Sequence, residues 1–561
     1  MAKGFVTPYA SRFSPGQAKL YGYPVSLNRR SMSNVWTLDH VFATRADAHP
    51  DRTLLVAAGR TMTYVQVQAR ATALAAALAE LGIGEGDRIA INLPNWPEWI
   101  VTLLAASRLG ATIVPVNPQL NYHELKYQLR HAEVSIVVTA ERFRDTDYLQ
   151  LFEDLIAELP DLQYIVTVGK EELWYDDRIF QFEDLVSSGE GRPVPVALDL
   201  RDDTTLAMIY TSGTMGKPKG VCLSHRSIVE SAVRSFEAIE IEPADRVLAA
   251  VPLFAVFGFS VAVGTLAAGA TLVLQETFNA ADAIELIARE KISLLHGVPT
   301  MYHLLMREPT FDPSRFRHLR SGVIGGASVP ADVVRRIRKW CDVQIAYGLT
   351  ETGPTVAITR FADTEEKRAS TVGRPLPGVE IRAVDFRTGA LHGPEAVGEI
   401  AVRGYNVMQG YARMPGETAR SFTPEGFFLT GDLGIIDDEG YLRVVGRSKD
   451  TIIRGGYQIY PREVEDQLRA HPAVDDVTVI GIPHEVLGEL ICACIVAVEG
   501  AVLTGPELQE FSRDTMADYK VPDLVRFFDA FPMTGTGKVK RRELERLVAL
   551  DAADLRLETS Q

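Results

Sequence analysis

Apolar and polar positions alternate in blocks along the chain as far as about residue 370. Strand-like runs such as DRIAINLP (87–94) are followed by helical patterns such as EWIVTLLAASRLG (98–110), and then by further apolar runs such as ATIVPVNP (111–118). The same order returns over 270–299, where ATLVLQ, AADAIELIAREK and ISLLHGVP follow one another. Strands that alternate with helices of this length predict parallel sheets joined by crossover helices.

The pattern changes after about residue 370 and again near residue 446. Shorter strands separated by turns come first, as in VEIRAVD (379–385), and they predict a small antiparallel, barrel-like subdomain. A charged turn, a short hairpin and a helix that begins at Pro461 come next, since proline suits the first helical turn. We therefore predict an α/β fold with a large N-terminal domain over 1–445, which contains α/β subdomains and the small β-barrel subdomain. A linker over 446–450 leads to a small C-terminal α+β domain over 451–561.

Length and charge narrow the class of protein. A chain of 561 residues is too long for one hydrophobic core, since chains divide beyond roughly 250–300 residues. The formal net charge of −15 argues against a nucleic-acid partner, which usually requires a basic surface. It does not exclude a polyphosphate ligand, because backbone amides and one lysine can bind phosphate on an acidic protein. The four cysteines show no zinc spacing, and we expect reduced thiols.

Two segments could be mistaken for membrane or targeting signals. Residues 247–275 carry no charge, but Pro252 and three glycines interrupt the run, which predicts a buried strand–helix–strand rather than a membrane span. The residues before Asp39 include five basic and no acidic side chains, as in a transit peptide, yet scattered Pro and Gly disfavour an amphipathic helix. We expect a cytoplasmic protein without an integral membrane segment, and the sequence leaves a homodimer open.

The densest chemical signal is YTSGTMGKPKG, between Tyr210 and Gly220. It follows an apolar strand and combines hydroxyls, three glycines and two lysines. Glycines let backbone N–H groups turn toward an anion, hydroxyls add donors, and lysine supplies a point charge for phosphate. The P-loop pattern is absent, and no Gly-x-Gly-x-x-Gly opens a strand–helix turn. The loop therefore predicts phosphate binding of another kind.

This loop resembles the phosphate-binding signature of the adenylate-forming superfamily, which includes acyl-CoA synthetases, aryl-CoA ligases, firefly luciferase and nonribosomal peptide adenylation domains. Five further segments carry the same resemblance in the family's order: GGAS (325–328), YGLTET (347–352), TGD (430–432), GRSKD (446–450) and TGTGK (534–538). The resemblance implies ATP and coenzyme A as substrates and Mg²⁺ as the metal ion. The implied phosphate-binding residues are Thr211, Ser212, Gly213, Thr214, Gly216, Lys217 and Lys219.

The later segments receive roles from the same resemblance. Thr350 would reach the α-phosphate, while Glu351 and the loop's Thr214 would hold Mg²⁺, which needs only one or two carboxylates beside phosphate oxygens. Asp432 and Arg447 would bind the ribose, since a carboxylate can accept hydrogen bonds from both hydroxyls. The implied adenine contacts are the backbone of Gly325, Gly326 and Ala327, the ring of Tyr347, and Gly348.

Lys538 resembles the family's catalytic lysine. A carboxylate that attacks the α-phosphate brings two anions together, and an ammonium group would offset their repulsion in the transition state. Lys538 must then leave so that a thiol can approach, which requires a mobile C-terminal domain and a hinge, implied at Lys449. Gly455 and Gly456 would line the path of the pantetheine arm of coenzyme A.

The acid-binding segments are apolar. No acidic residue lies within 247–275, where amino-acid adenylation domains use an aspartate, so an amino acid is not expected. Many relatives carry a large residue where this chain has Ala255, which leaves the entrance beside the carboxylate open. No cation is available for a second carboxylate. The implied acid-binding residues are Phe254, Ala255, Val256, Phe257, Val323, Ile324, Thr355 and Val356.

The resemblance thus implies an ATP-dependent acyl-CoA ligase that forms an acyl-adenylate and then a coenzyme A thioester, with a medium- or long-chain fatty acid as the expected acid. An aryl or alicyclic acid, or a carrier-protein thiol as acceptor, are the alternatives within this enzyme class. A non-catalytic nucleotide-binding protein is the alternative from another class, and the presence of Lys538, Glu351, Asp432 and Arg447 argues against it.

Overall fold

The computed structural model describes residues 35–170, 176–194, 200–211, 218–327, 329–385, 391–454, 457–484, 487–534 and 538–548. The basic segment before residue 35, on which the targeting question rests, lies outside this range.

The first part of the chain folds into the predicted alternation of strands and helices. Local signals set the helix ends: a capping box at Thr63 begins α2, another at Asn121 begins α4, and glycines in the left-handed region, Gly110 and Gly269, end α3 and α8. The elements are α1 (Leu38–Ala48), β1 (Thr53–Ala57), β2 (Arg60–Thr63), α2 (Tyr64–Glu80), β3 (Arg88–Asn92), α3 (Pro97–Leu109), β4 (Thr112–Pro115), α4 (Tyr122–Ala132), β5 (Ile136–Ala140), β6 (Arg142–Phe143), β7 (Thr146–Asp147), α5 (Tyr148–Ile156), β8 (Tyr164–Val168), β9 (Ile179–Gln181), α6 (Phe182–Gly189), β10 (Thr205–Thr211), β11 (Lys219–Ser224), α7 (His225–Ala238), β12 (Arg246–Ala249), α8 (Val256–Ala268), β13 (Thr271–Leu274), α9 (Ala280–Arg289) and β14 (Leu294–Leu295).

The rest of the chain, from residue 299 onward, adds further helices and strands. They are α10 (Pro299–Arg307), β15 (Val323–Ile324), α11 (Ala331–Ile337), β16 (Gln344–Tyr347), β17 (Ala357–Ile358), α12 (Glu365–Ser370), β18 (Arg374–Pro375), β19 (Glu380–Val384), β20 (Gly398–Arg403), β21 (Gly410–Tyr411), α13 (Pro415–Arg420), β22 (Phe428–Ile436), β23 (Leu442–Arg447), β24 (Ile452–Arg454), β25 (Tyr457–Ile459), α14 (Pro461–Leu468), β26 (Val474–His484), β27 (Gly488–Ala497), α15 (Gly505–Thr515) and β28 (Leu524–Phe527). Residues 541–548 are also helical.

Two sheets dominate the large N-terminal part. One has the strand order β14-β12-β13-β1-β2, and the other has the order β21-β11-β10-β4-β3-β5-β8-β9. Strands β12, β13, β14 and β1 pair in parallel, as do β10, β4, β3, β5, β8 and β9, so the predicted parallel sheets with helical crossovers are confirmed. The carboxyl ends of parallel strands meet at one sheet edge, and this is where α/β proteins bind ligands.

The uncharged stretch over 247–275 forms β12, α8 and β13, as predicted. Its helix is almost entirely buried between sheet and neighbouring helices, which explains why polar residues are not needed on either face. Within the described residues, no helix is both long enough and apolar enough to cross a membrane.

The antiparallel part expected after residue 370 is a four-stranded sheet with the order β19-β20-β22-β23. When two residues lie directly opposite each other on neighbouring antiparallel strands, their side chains are close together. Asp432 on β22 faces Arg447 on β23 in this way.

Residues after 451 form their own sheet, with the order β25-β24-β27-β26 and β28 beside β27. Two hydrophobic clusters lie in this part, and all of their members come from it. Cys492 and Cys494 are buried on β27 as free thiols, as expected. A separate core supports our proposal that a C-terminal domain begins after a linker at 446–450.

Candidate active site

A β-hairpin positions the predicted phosphate-binding loop. Strands β10 and β11 pair from Thr205–Ser224 to Thr211–Lys219, and the loop joins their ends. At the loop end of the hairpin, Lys219 Nζ lies 2.8 Å from a carboxylate oxygen of Glu417 and 4.8 Å from the ring centre of Tyr411. The remaining predicted loop residues lie outside the described part of the chain: Ser212, Gly213, Thr214, Gly216 and Lys217.

The segment predicted to flank adenine follows β15. Gly326 has a φ of +81°, a left-handed conformation that favours glycine, so the chain turns directly after the strand. A Cβ atom on Gly325 would lie 3.9 Å from the ring of Phe257. The turn therefore brings the predicted adenine segment into contact with the predicted acid-binding segment. Ala327 is exposed beside it.

Tyr347 is the last residue of β16, and Glu351 lies four residues further along the chain. Gly348 between them allows the turn, because a Cβ atom there would lie 1.6 Å from the carbonyl oxygen of Pro354. A short 3-10 helix over Thr350–Thr352 then presents Glu351. The Tyr411 hydroxyl donates a hydrogen bond of 3.0 Å to the Glu351 carboxylate. Burial and this carboxylate raise the pKa of Tyr411, so the phenol remains a donor.

Tyr411 lies on β21, which pairs with β11 of the phosphate-loop hairpin, opposite Val221. It thus connects Glu351 to strand β11 of the hairpin. Sequence reasoning missed Tyr411 and Glu417, because they lie in a turn-rich segment without a local pattern that marks them.

The predicted ribose group consists of a buried carboxylate, that of Asp432, and the exposed Arg447. Arg447 Nε lies 3.0 Å from Asp432 Oδ1, and the Tyr347 hydroxyl donates a hydrogen bond of 2.9 Å to Asp432 Oδ2. Burial raises the pKa of Asp432, while Arg447, Tyr347 and Lys538 act in the opposite direction. Only 6% of Asp432 is exposed, so its orientation is fixed by these neighbours. The Tyr347–Asp432 contact was not anticipated from the sequence.

Lys538 lies in the same cleft. Its backbone is bonded to Thr534: the Thr534 N–H donates to the Lys538 carbonyl at 2.7 Å, and the Lys538 N–H donates to Thr534 Oγ at 3.0 Å. Burial and the charge of Arg447 lower the pKa of Lys538, whereas Asp432 and Glu351 oppose that shift. The Lys538 residue as a whole is exposed. The structure thus brings Lys538 within electrostatic range of both predicted carboxylates.

Contacts across the linker hold the C-terminal part in this orientation. Arg307 on α10 lies 2.9 Å from Asp475 on β26, and Arg462 on α14 donates to the carbonyl oxygen of Val444 at 2.5 Å. Lys449, the predicted hinge, is exposed in a 3-10 helix over Ser448–Asp450. Burial of its ammonium group and the neighbouring Arg447 lower the pKa of Lys449. Gly455 and Gly456 lie outside the described residues.

The eight predicted acid-binding residues divide into two groups. Phe254, Ala255, Val256 and Phe257 are partly exposed at the start of α8, where Ala255 is the residue before the helix. The other four are buried: Val323, Ile324, Thr355 and Val356. Ile324 and Val356 have no exposed surface. The accessible part of the apolar site is therefore the start of α8, with the buried group behind it.

The observed geometry fits a magnesium ion. Mg²⁺ is commonly bound by one or two carboxylates together with substrate phosphates. Glu351 offers one carboxylate. The Tyr411 hydroxyl, beside strand β11 of the phosphate-loop hairpin, orients that carboxylate. Within the described ranges, His, Cys, Asp and Glu side chains form no cluster of three or more that could hold a metal alone. Any Mg²⁺ held by this described group would therefore depend on phosphate oxygens as well as Glu351.

Comparison with known proteins identifies related families, sequences and structures. Residues 42–412 match the model of the AMP-binding enzyme family, and residues 463–538 match that of the AMP-binding enzyme C-terminal domain. The chain is 34% identical over 532 residues to the Bacillus subtilis protein named "Putative acyl-CoA synthetase YngI", with 91% of this chain and 96% of that protein covered. It is 32% identical to the mitochondrial medium-chain acyl-CoA ligase ACSF2 of Mus musculus, over 91% of this chain and 87% of the relative. The crystal structure of ATP-bound MatB from Rhodopseudomonas palustris matches with a TM-score of 0.83 and 30% identity, over 91% of this chain and 99% of that one.

Proposed function

The chain belongs to the AMP-binding enzyme family as an acyl-CoA synthetase, and we propose that it activates a medium- or long-chain hydrophobic acid. Membership makes it an acid–thiol ligase with ATP and coenzyme A as substrates. The residue roles proposed below rest on one observation. Lys538 and Arg447 act electrostatically on Asp432, and Lys538 also interacts with Glu351, although these four side chains come from four separate segments.

The first half-reaction joins the acid to the α-phosphate of ATP and releases diphosphate. Asp432 accepts hydrogen bonds from the ribose hydroxyls, since its carboxylate is already fixed by Tyr347 and Arg447. Lys538 donates to the anionic oxygens that meet as the carboxylate attacks, and a preformed cation stabilises charge that develops in the transition state. Thr350 contributes its hydroxyl to the same phosphate. Mg²⁺, when bound at Glu351, supplies positive charge to the phosphates.

The second half-reaction transfers the acyl group from AMP to the coenzyme A thiol. Lys538 occupies the cleft through which a thiol would approach, so the C-terminal domain must turn away first. We assign the hinge to Lys449, because its 3-10 helix lies between β23, which carries Arg447, and β24 of the C-terminal sheet. Gly455 and Gly456 then line the pantetheine path.

Two observations support a hydrophobic acid. The accessible residues at the start of α8 are apolar, and the buried residues behind them add no charge. In addition, ACSF2, one of the proteins most similar to this chain, is named a medium-chain acyl-CoA ligase. Ala255 leaves room at the entrance, which favours a chain that continues past the carboxylate without a bulky neighbour.

The proposal is tested by diphosphate and AMP release from MgATP, with and without coenzyme A, across straight-chain, alicyclic and aryl acids. We expect the highest kcat/KM at one medium or long chain length, with AMP release stimulated by coenzyme A. A maximum at an aryl or alicyclic acid would replace the proposed substrate. Diphosphate exchange that coenzyme A leaves unchanged would instead indicate a carrier-protein thiol as the acceptor.

A further inference from the structure

His296 is a fully buried histidine that the proposed reaction does not use. It follows β14 directly, and its ring stacks on Phe236 with 5.0 Å between ring centres and an angle of 19° between the planes. Neither ring nitrogen has a hydrogen-bond partner among the described residues. Burial lowers the pKa of His296 to about 3, so the ring is neutral at physiological pH.

A neutral imidazole has one N–H donor and one nitrogen acceptor. Buried polar groups are nearly always paired, since an unpaired one loses its hydrogen bonds with water and gains none. The contrast with His225 is informative, because that equally buried ring accepts a hydrogen bond of 3.1 Å from the Leu38 N–H. His225 therefore has a structural partner on one side, whereas His296 has both functions available.

The backbone on either side of His296 contacts or leads to the predicted acid-binding segments. Leu295 of β14 pairs in parallel with Leu248 of β12, and β12 leads into the turn that starts α8. On its other side, the Gly297 N–H donates to the Val323 carbonyl at 3.0 Å. His296 thus lies between the two chain segments to which we assign the acid.

Helix α8 connects the entrance to the His296 ring. A Cβ atom on Gly264 would lie 2.6 Å from the Phe236 ring, so Phe236 packs directly on α8 at this residue. Gly264 follows Val256, the first residue of α8, by eight positions, which correspond to about 12 Å along a helix. An acid bound at the start of α8 would therefore have to extend about this far along the helix to reach the Phe236–His296 pair.

We propose that His296 is a specificity-determining residue, one of whose ring nitrogens forms a hydrogen bond with a hydroxyl group on the hydrocarbon chain of the acid. This inference rests on the proposed acyl-CoA synthetase reaction and narrows its substrate to hydroxylated acids. A hydroxyl can donate to the acceptor nitrogen or accept from the N–H, so it can pair with either nitrogen of a neutral imidazole. A second carboxylate does not match, because a neutral ring provides no charge to compensate a buried anion.

The test compares decanoate with a series of monohydroxydecanoates in which the hydroxyl moves along the chain. Diphosphate release without coenzyme A reports adenylation alone. In the unmodified protein we expect one hydroxyl position to exceed decanoate in kcat/KM. His296→Phe preserves an aromatic ring against Phe236 and removes both polar functions, and it should lower the hydroxy-acid to decanoate ratio about threefold to tenfold, as expected for the loss of one hydrogen bond.

Two further variants make the result specific. His296→Gln retains a donor and an acceptor and should restore part of the ratio, while His123→Phe, at an exposed histidine on α4, should leave the ratio unchanged. If His296→Phe does not fold, the glutamine variant and the series on the unmodified protein still decide the matter.

Adenylation of decanoate with no preference for any hydroxyl position would overturn the role of His296 and leave the proposed function intact. An internal water molecule would then serve the ring, since buried waters commonly pair otherwise unsatisfied groups. Failure to adenylate any acid would instead overturn the proposed function, and the assignment of His296 with it.

Discussion

Replacement of Lys538 by alanine should separate the two half-reactions. The ammonium group lies in the cleft with Asp432 and Glu351, and its charge is felt by both carboxylates. We assign it to the step in which two anions meet, the attack of the acid on ATP. Lys538→Ala should therefore slow adenylation strongly, and thioester formation from preformed acyl-adenylate should remain close to that of the unmodified protein.

The expected slowing of adenylation in Lys538→Ala depends on which positive charges remain beside Asp432. Arg447 is a second cation beside Asp432, so the variant loses one preorganised donor rather than all positive charge. Loss of one such donor typically costs about 10²–10³ in rate, or roughly 3–4 kcal/mol. Lys540 offers a matched control, since it lies two residues away and is exposed in an ion pair of 3.4 Å with Glu543. Exposed ion pairs contribute about 0–1 kcal/mol, so Lys540→Ala should change either rate only a few-fold.

The assay measures the two steps separately. Single-turnover diphosphate release reports adenylation, and loss of free thiol on addition of synthetic acyl-adenylate reports thioester formation. Equal losses in both steps for Lys538→Ala would refute the assigned role. So would an equal loss of adenylation in Lys540→Ala, because the effect would then belong to the basic hairpin as a whole.

The pH dependence gives the same prediction a second readout. Burial and Arg447 lower the pKa of Lys538, and the protonated form is the one that stabilises the transition state. Adenylation should therefore be fully supported at low pH and decline as pH rises through this lowered pKa, below the value near 10.4 of an ordinary lysine. Lys538→Arg stays protonated throughout and should lack that decline, even if its rate is lower. A decline at the same pH in the arginine variant would assign it to another group.

Three further predictions concern the residues around Lys538. Tyr347→Phe removes a hydrogen bond to the buried carboxylate of Asp432 and should raise the KM for ATP about tenfold or more, as measured by diphosphate release. Gly348→Ala places a methyl group 1.6 Å from a carbonyl oxygen and should lower the free energy of unfolding by about 1–3 kcal/mol or more, as measured by urea denaturation. Lys449→Pro should restrict the hinge, so that adenylation persists while overall thioester formation fails, because proline fixes the backbone φ angle.

Each of these changes has a control in the same chain. Tyr122→Phe removes an exposed hydroxyl bonded to Glu158 and should leave the KM for ATP unchanged. Gly84→Ala adds a methyl group with no atom within 4 Å and should leave stability unchanged. Lys449→Ala keeps a flexible backbone, and it should retain both half-reactions. An effect of the control as large as that of the paired variant would contradict the corresponding assignment.

Much of the fold was predictable because its signals are local. The uncharged stretch over 247–275 resolves into β12, α8 and β13, since Pro252 follows the end of β12 and Gly269 ends α8. Pro461 begins α14 as predicted, because its missing N–H lies where a helix has no partner for it. The ends of such strands and helices depend on residues that are close in sequence, so they can be predicted from one sequence alone.

The site was predictable only in part. Motif resemblance identified Asp432 and Tyr347 as separate ligand contacts, whereas the structure joins them by a hydrogen bond between residues 85 positions apart. Tyr411 reaches Glu351 across 60 positions in the same way. No local pattern encodes such pairs, because sheet register and loop path decide which distant side chains meet.

The sequence by itself determined the alternation of strands and helices, the family resemblance and the residues that carry it, since each depends on residue type and short spacing. Only the tertiary structure decided that Lys538 shares one cleft with Glu351 and Asp432, and that His296 is buried without a described partner. The physical reason is that charge, desolvation and hydrogen-bond satisfaction depend on three-dimensional distance. That distance is fixed by the packing of segments that lie far apart along the chain.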